Sequence, residues 1–285
     1  MPRIAYVNGR YLPLRDAKVG IEDRGYQFSD GVYEVCEVRD GHLIDMEPHM
    51  ARLARSLGEL RIDWPVASNV LPGLMREVVR RNGVRHGLVY VQVTRGEAPR
   101  DHVFPTHPKP ALVITSKPTS LEAGEAKRDK GMSVITVPEN RWERVDIKSV
   151  GLLPNVMARQ QAKEAGAGEA WFVGPDGTVH EGAATNAWIV KDGQIRTRHA
   201  EHGILRGITR ATVMRVAESL QLKVIEEGFS VAEAKAADEA FVTAASTVVM
   251  PVVAIDGHVV GDGKPGPVTR RLREAFHDVA ERTAA

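Results

Sequence analysis

Asx-Gly dipeptides between short β-rich runs constrain the fold of this chain more than any other sequence feature. Asn8-Gly9 lies between Ile4–Val7 and Arg10–Leu14, and both turn positions of such a hairpin favour positive φ. Similar turns follow at Asp40-Gly41, Asp176-Gly177, Asp192-Gly193 and Asp256-Gly257. Each lies between runs rich in Val, Ile, Tyr or Trp. The sequence therefore predicts antiparallel hairpins along its whole length.

Helical periodicity is interleaved with these hairpins. Apolar residues recur at three- and four-residue steps through Met50, Leu53, Leu57 and Leu60, which predicts a helix over Met46–Leu60. Further helices are predicted at 67–82, 153–166, 208–221, 230–237 and 267–283. Hairpins mixed with helices, without steady strand–helix alternation, favour an α+β fold over a doubly wound parallel sheet.

The length of 285 residues predicts one large or two medium domains. The clearest boundary is the polar, charged stretch Ser116–Gly131, which separates two apolar strands, Ala111–Thr115 and Met132–Val137. We therefore expect a small N-terminal domain over 1–119, an interdomain linker over 120–130 and a larger C-terminal domain over 131–285.

Charge and cysteine content exclude several classes of protein. Lys and Arg number 38 against 37 Asp and Glu, a net charge of +1, so neither nucleic acid nor an anionic membrane is an expected partner. Cys36 is the single cysteine, which excludes an intrachain disulfide and a cysteine-rich metal site, and no metal is expected. No 18 apolar residues run together and no signal peptide is apparent. We expect a cytoplasmic protein.

Two side chains could carry chemistry on a ring cofactor. The segment Val145–Ser149 is predicted to end a strand at Lys148; near a buried strand end a lysine loses hydration, and its neutral amine can attack a carbonyl. Glu181 lies among small residues and is a candidate counter-ion for a protonated heterocyclic nitrogen. The alternatives are a surface lysine lying along a sheet edge and a solvated carboxylate on a strand.

An anion could bind where the segment Gly203–Arg210 begins a helix, because N–H groups at a helix N-terminus suit phosphate. A plain helix cap would look similar. The turn Thr243–Thr247 offers hydroxyl groups, and Arg52 in the first long helix could reach the same anion or be a surface arginine.

A second anion site is suggested by Arg100 and His102, which follow the strand Leu88–Val93. In an extended loop both side chains point the same way. Arginine and histidine together could bind a carboxylate through charge-assisted hydrogen bonds. A solvated basic loop is the alternative.

In this order, the segments resemble the fold type IV pyridoxal phosphate enzymes, and most closely the bacterial D-amino acid aminotransferases. The resemblance covers nearly the whole chain. Its motifs are Gly25–Glu34, His49–Leu53, Gln92–Gly96, Asp146–Ser149, Glu181-Gly182, Leu205–Arg210 and Met250–Val252.

The resemblance implies two domains, a smaller N-terminal α/β domain and a larger C-terminal domain with a pseudo-barrel β-sheet, in a homodimer. It implies pyridoxal 5′-phosphate as cofactor, bonded covalently to Lys148, with Glu181 against the pyridine nitrogen and Leu205 on a ring face. The implied phosphate ligands are Arg52, the backbone at Ile208 and Thr209, and Ser246. The implied ligands of the substrate α-carboxylate are Tyr33, Arg100 and His102.

The activity implied is transfer of the amino group of a D-amino acid, D-alanine foremost, to a 2-oxo acid such as 2-oxoglutarate by a ping-pong mechanism. Sister activities on the same scaffold are the alternatives: a branched-chain L-aminotransferase, an (R)-amine aminotransferase or aminodeoxychorismate lyase. Glu37 stands where the best-known D-specific relatives carry a lysine and branched-chain relatives an arginine, and the missing arginine weakens the branched-chain alternative. A non-enzymatic dimer that holds the cofactor is the remaining one, and Lys148 with Glu181 argues against it.

Overall fold

The computed structural model describes residues 3–283, which form two compact units. The first contains residues 3–120, 147–151 and 281–283, and the second contains 121–146 and 152–280. This differs from the predicted division in three respects. The expected linker 120–130 is largely a helix of the second unit. Residues 147–151, with Lys148, cluster with the first unit because their backbone hydrogen-bonds there, and residues 281–283 cluster with it because they pair with β4.

The first unit is a seven-stranded sheet with helices. Its elements in chain order are β1 (Ile4–Val7), β2 (Arg10–Pro13), a 3₁₀ turn (Leu14–Asp16), α1 (Arg24–Phe28), β3 (Gly31–Arg39), β4 (His42–Ile44), α2 (Met46–Leu60), α3 (Leu71–Arg81), β5 (Gly87–Thr94), β6 (Ala111–Pro118) and, after the second unit, β16 (Arg282–Thr283). The strand order is β16-β4-β3-β5-β6-β1-β2. Buried residues of β3, β5, α2 and α3 share one core, which fixes α2 and α3 against the sheet.

The second unit is built on a nine-stranded sheet. Its elements are α4 (Leu121–Lys130), β7 (Met132–Pro138), α5 (Leu153–Glu164), β8 (Glu169–Val173), β9 (Val179–Gly182), β10 (Asn186–Lys191), β11 (Gln194–Thr197), α6 (Ile208–Ser219), β12 (Val224–Ile225), α7 (Val231–Lys235), β13 (Glu239–Ala244), β14 (Val248–Ile255), β15 (His258–Val259) and α8 (Pro267–Val279).

This sheet curls on itself. Its order is β12-β11-β10-β13-β14-β7-β8-β9, with β15 paired to β14, so β9 and β10 are well separated along the sheet. Yet only residues 183–185 connect them, and Gly182 N donates to Thr185 O at 2.7 Å. A flat sheet could not bring its end strand to β10 across three residues, and the predicted pseudo-barrel is confirmed.

The hairpin predictions are confirmed at all five turns. Two-residue loops join Val7 to Arg10, Arg39 to His42, Lys191 to Gln194 and Ile255 to His258. In these four turns both the Asx residue and the glycine have positive φ. The fifth connection, between β8 and β9, is longer, and only its Gly177 has positive φ.

The predicted helix over Met46–Leu60 matches α2 at both ends. The helix predicted at 267–283 ends at Val279, because Ala280 adopts extended backbone and the chain then pairs with β4 as β16. No helix within residues 3–283 is long and apolar enough to cross a membrane.

Candidate active site

Lys148 lies in an irregular segment, so the strand predicted to end there is wrong. Residues 143–146 form a turn, and Ser149 makes an isolated bridge with Val32. Tyr33 N donates to Lys148 O at 3.0 Å, and Val150 N donates to Gly31 O at 3.0 Å. These hydrogen bonds hold the segment along β3, and no local sequence pattern predicts them.

The side chain of Lys148 lies over an aromatic pair. Its Nζ is 4.2 Å from the ring centroid of Tyr33, whose ring stacks on Tyr90 with centroids 5.5 Å apart. Burial, together with Tyr33, raises the pKa of Tyr90 to about 12, and its hydroxyl donates to Gln92 Oε1 at 2.7 Å. The structure therefore brings together two predicted site residues, Lys148 and Tyr33, and adds Tyr90.

Arg52 is held by a buried carboxylate. Its Nε donates to Glu34 Oε1 at 2.7 Å and its Nη2 to Glu34 Oε2 at 2.8 Å, while His49 Nδ1 lies 2.7 Å from the same Oε2. Burial alone would raise the pKa of Glu34, but Arg52 and His49 outweigh it and hold the pKa well below its usual range. Glu34 therefore stays ionised and fixes the direction of Arg52.

Arg100 and His102 converge on one ring. The guanidinium carbon of Arg100 is 4.6 Å from the ring centroid of Phe28, and the ring centroid of His102 is 5.3 Å from it. The surrounding loop is irregular and both side chains are exposed in the single chain. The two predicted carboxylate ligands are thus neighbours, although the shared contact is Phe28, which the sequence did not single out.

In the second unit, Glu181 is 4% exposed and surrounded by donors. Arg141 Nη1 donates to its Oε1 at 2.6 Å, Asn186 Nδ2 to its Oε2 at 3.0 Å, and Leu205 N to the same oxygen at 3.1 Å. Burial raises the pKa of Glu181, and Arg141 with Leu205 N opposes that rise. The structure thus brings together the predicted residues Glu181 and Leu205.

Arg141 is the functional candidate that sequence reasoning missed. It also binds Glu139 through Nε and Nη2, at 2.9 and 2.6 Å, and its guanidinium carbon lies 4.3 Å from the Phe172 ring centroid. His180 Nδ1 lies 3.1 Å from Glu139. Because Arg141 and Glu181 are 40 residues apart, no local spacing could have indicated the pair.

The predicted phosphate ligands of this unit lie at a helix start and a turn. Ile208 is the first residue of α6, its N-cap Gly207 provides no side-chain cap, and Thr209 is buried in the first turn. Ser246 is exposed in the turn after β13. Next to it, Thr247 Oγ1 is buried without a hydrogen-bond partner in the described part of the chain. An anion bound at this turn would give that hydroxyl group a hydrogen-bond partner.

These residues fit pyridoxal 5′-phosphate. Within the first unit, Lys148 has an amine that suits the aldehyde and Arg52 a guanidinium that suits the phosphate. Within the second unit, the Glu181 carboxylate suits the ring nitrogen, and the uncapped helix start and the buried Thr247 hydroxyl suit an anion. Within residues 3–283 no group of three or more His, Cys, Asp or Glu side chains could hold a metal ion.

Fold and residues define an enzyme that uses pyridoxal phosphate on a fold type IV scaffold. The family Amino-transferase class IV matches residues 31–255, and the chain belongs to that family. It is a pyridoxal 5′-phosphate-dependent aminotransferase, as the resemblance implied.

Curated relatives and solved structures agree on the scaffold. The chain is 41% identical over 276 residues, 97% of each chain, to a D-alanine aminotransferase of Staphylococcus haemolyticus. It is 40% identical over 271 residues, 95% of each chain, to a D-alanine aminotransferase of Bacillus licheniformis. A branched-chain amino acid aminotransferase of T.th., solved with pyridoxamine 5′-phosphate, matches with a TM-score of 0.90 and 28% identity over 98% of this chain and 94% of that one.

Proposed function

We propose that the protein transfers the amino group of a D-amino acid, with D-alanine as the principal donor, to a 2-oxo acid such as 2-oxoglutarate by a ping-pong mechanism. The observation that carries this proposal is the pairing of Arg100 and His102 on one aromatic ring, which offers a cationic site for the substrate carboxylate. The D-alanine aminotransferases at 40–41% identity support the choice of substrate.

In this proposal Lys148 would hold the cofactor covalently through Nζ, with the aldehyde oxygen leaving as water, and would move a proton between the substrate Cα and the cofactor C4′. When bound, pyridoxal phosphate would supply an electron-withdrawing ring. Glu181 would accept a hydrogen bond from the protonated pyridine nitrogen and so keep that nitrogen protonated, and Leu205 would pack on the ring. Arg52, the backbone at Ile208 and Thr209, and Ser246 bind the phosphate.

Substrate selection falls to Tyr33, Arg100 and His102, which bind the α-carboxylate and so orient the Cα hydrogen. A branched-chain L-aminotransferase is the second candidate, and the TM-score of 0.90 to a branched-chain amino acid aminotransferase supports it. An (R)-amine aminotransferase and aminodeoxychorismate lyase are further candidates on this scaffold.

A spectrophotometric screen of the purified holoenzyme tests the proposal. D-alanine without acceptor should reduce absorbance at about 410–420 nm and raise it near 330 nm, bands typical of the cofactor before and after it takes the amino group. Lys148→Ala should abolish the change. A response to L-leucine or to (R)-amines, with none to any D-amino acid, would establish a sister activity instead.

We further propose a cytoplasmic homodimer that binds neither nucleic acid nor membrane. Cys36 is buried and unpaired, as suits a reducing compartment, and Ile21 and Tyr26 are 83% and 77% exposed in the single chain, which suits an apolar contact between subunits. Sedimentation of the holoenzyme gives the subunit number.

A further inference from the structure

Two buried arginines share one carboxylate beneath the loop that bears Arg100 and His102. Arg24 Nε donates to Asp30 Oδ2 at 2.8 Å, and Arg95 donates to Asp30 Oδ2 through Nε at 2.8 Å and to Oδ1 through Nη2 at 3.0 Å. Arg24 and Arg95 are 3% and 2% exposed. Two guanidinium groups on a single carboxylate leave this cluster with a net positive charge.

Arg24 uses its remaining donors on the loop itself. Its Nη1 donates to Asp101 O at 2.5 Å, and its Nη2 lies 3.5 Å from His102 O. These carbonyls belong to the residues directly after Arg100, so one guanidinium fixes the backbone between the two proposed carboxylate ligands. Val103 N also donates to Asp101 Oδ1 at 3.3 Å, which tightens the same turn.

The ring of Phe28 completes the arrangement. Arg24 lies against it with its guanidinium carbon 4.9 Å from the centroid, and Arg100 and His102 contact the same ring. Both Arg24 and Phe28 belong to α1, which is capped by Asp23 and joined to the end of β5 because Thr94 Oγ1 donates to Asp23 Oδ2 at 2.8 Å. The loop that bears Arg100 and His102 therefore packs against a short helix that is itself anchored to β5.

Arg95 holds the far end of the loop. Its guanidinium carbon lies 3.6 Å from the Phe104 ring centroid, and its Nη1 and Nη2 donate to Arg61 O at 2.9 Å and Leu60 O at 2.7 Å, at the end of α2. None of these contacts of Arg95 involves Arg24.

We propose that Arg24 is a positioning residue for carboxylate recognition: through the carbonyls of residues 101 and 102 and the ring of Phe28 it holds Arg100 and His102 in the arrangement that binds the substrate carboxylate. This inference rests on the proposed function. Residues 95–110 contain no helix or strand beyond the single bridge of Glu97 with Asp23, so the loop has little order of its own. Anchoring it beforehand removes ordering entropy from the binding step.

The test compares the wild-type holoenzyme with Arg24→Ala, Arg100→Ala and the double variant. Arg80→Ala is the control, because the guanidinium of Arg80 pairs with Glu77 and its side chain is 72% exposed on the solvent face of α3. In Arg24→Ala the loop no longer holds Arg100 in place for its charge-assisted contact with the carboxylate. KM for D-alanine and the inhibition constant of the unreactive carboxylate propionate should therefore rise by about tenfold, with kcat within about threefold. Hydrogen exchange in residues 98–106 should accelerate in Arg24→Ala and not in Arg80→Ala. Arg24→Lys, which keeps a cation near Phe28, should restore part of the affinity.

The double variant shows whether Arg24 acts through Arg100. In the Arg100→Ala background the Arg24 substitution should raise KM much less than it does alone, because the positioned side chain is gone. If Arg100→Ala raises KM while Arg24→Ala leaves KM and the propionate constant unchanged, or if the two effects are fully additive, the positioning role fails and the proposed function stands. If Arg100→Ala leaves both constants unchanged, the carboxylate assignment and this inference fail together. Should Arg24→Ala not fold, Phe28→Leu removes the shared ring and must raise the same constants.

Discussion

Arg141 shows how one side chain can set the chemistry of another. It donates to Glu181 and Glu139 at once and opposes the rise that burial causes in the pKa of Glu181. Arg141→Met should therefore raise the pKa of Glu181 further, so an activity that needs this carboxylate ionised should appear only at higher pH. The acid limb of the pH profile of kcat/KM should shift to higher pH, and kcat/KM near neutral pH should fall about tenfold.

The matched control for this prediction is Arg144→Met, since Arg144 pairs with Asp146 at 3.0 Å but is 47% exposed. Its profile should follow the wild type. Coincident profiles for the two variants would contradict the role given to Arg141.

Glu34 gives a stability prediction with a definite sign. Its pKa in the folded protein lies well below the value of about 4.3 expected when unfolded, so its stabilisation is present above that value and is lost as pH falls toward the folded pKa. Glu34→Gln leaves Arg52 buried without its carboxylate and should lower the free energy of unfolding by about 3 kcal/mol at pH 7. Urea unfolding should show that the difference in free energy of unfolding between Glu34→Gln and wild type becomes smaller below about pH 4. A difference that does not change with pH would contradict a lowered pKa for Glu34.

At the scale of elements, the sequence predicted hairpins and helices that depend on neighbouring residues, and it missed contacts between residues far apart in the chain. The Asx-Gly hairpins and α2 follow from backbone preference and periodicity within a few residues, and the structure confirms them. The backbone around Lys148 and the Arg141–Glu181 pair depend on hydrogen bonds to distant parts of the chain. The likeness of motifs indicated Lys148 and Glu181 as site residues, but nothing in their spacing gave their partners.

The start of α6 depends on a glycine that cannot be replaced without movement. A Cβ atom on Gly207 would overlap Asn186 Oδ1, while Asn186 Nδ2 bonds both Glu181 and Leu205 O. Gly207→Ala should lower the free energy of unfolding by about 2 kcal/mol and weaken cofactor binding. Gly58→Ala is the control: Gly58 lies inside α2 with open space around its Cβ position, and the substitution should stabilise by roughly 0.5–1 kcal/mol. Thermal unfolding and dialysis against pyridoxal phosphate measure both effects.

At the scale of the whole molecule, the first unit is completed by one segment from the middle of the sequence and one from near its end. Residues 147–151 lie along β3, and residues 281–283 add β16 beside β4. The sheet and the backbone position of Lys148 therefore depend on contacts between segments that are far apart in the sequence. Asp45 N donates to Glu281 O at 2.9 Å, and Glu281 N donates to Asp45 Oδ1 at 3.0 Å.

A chain that stops after Ala280 should therefore lose stability in its first unit. The truncation removes both hydrogen bonds between Glu281 and Asp45, one of which is accepted by the Asp45 side chain. It also removes the strand that pairs with β4, whose Leu43 and Ile44 are 0% and 3% exposed. Several hydrogen bonds at about 1 kcal/mol each predict a fall of about 2–4 kcal/mol in the free energy of unfolding. Thr283→Ala keeps every peptide group and should behave as wild type. Hydrogen exchange locates the effect: amides of β3 and β4 should lose protection, and those of β10 and β13 should keep it. Equal loss of protection in both sheets would contradict the view that the two units have separate cores, each with its own stability.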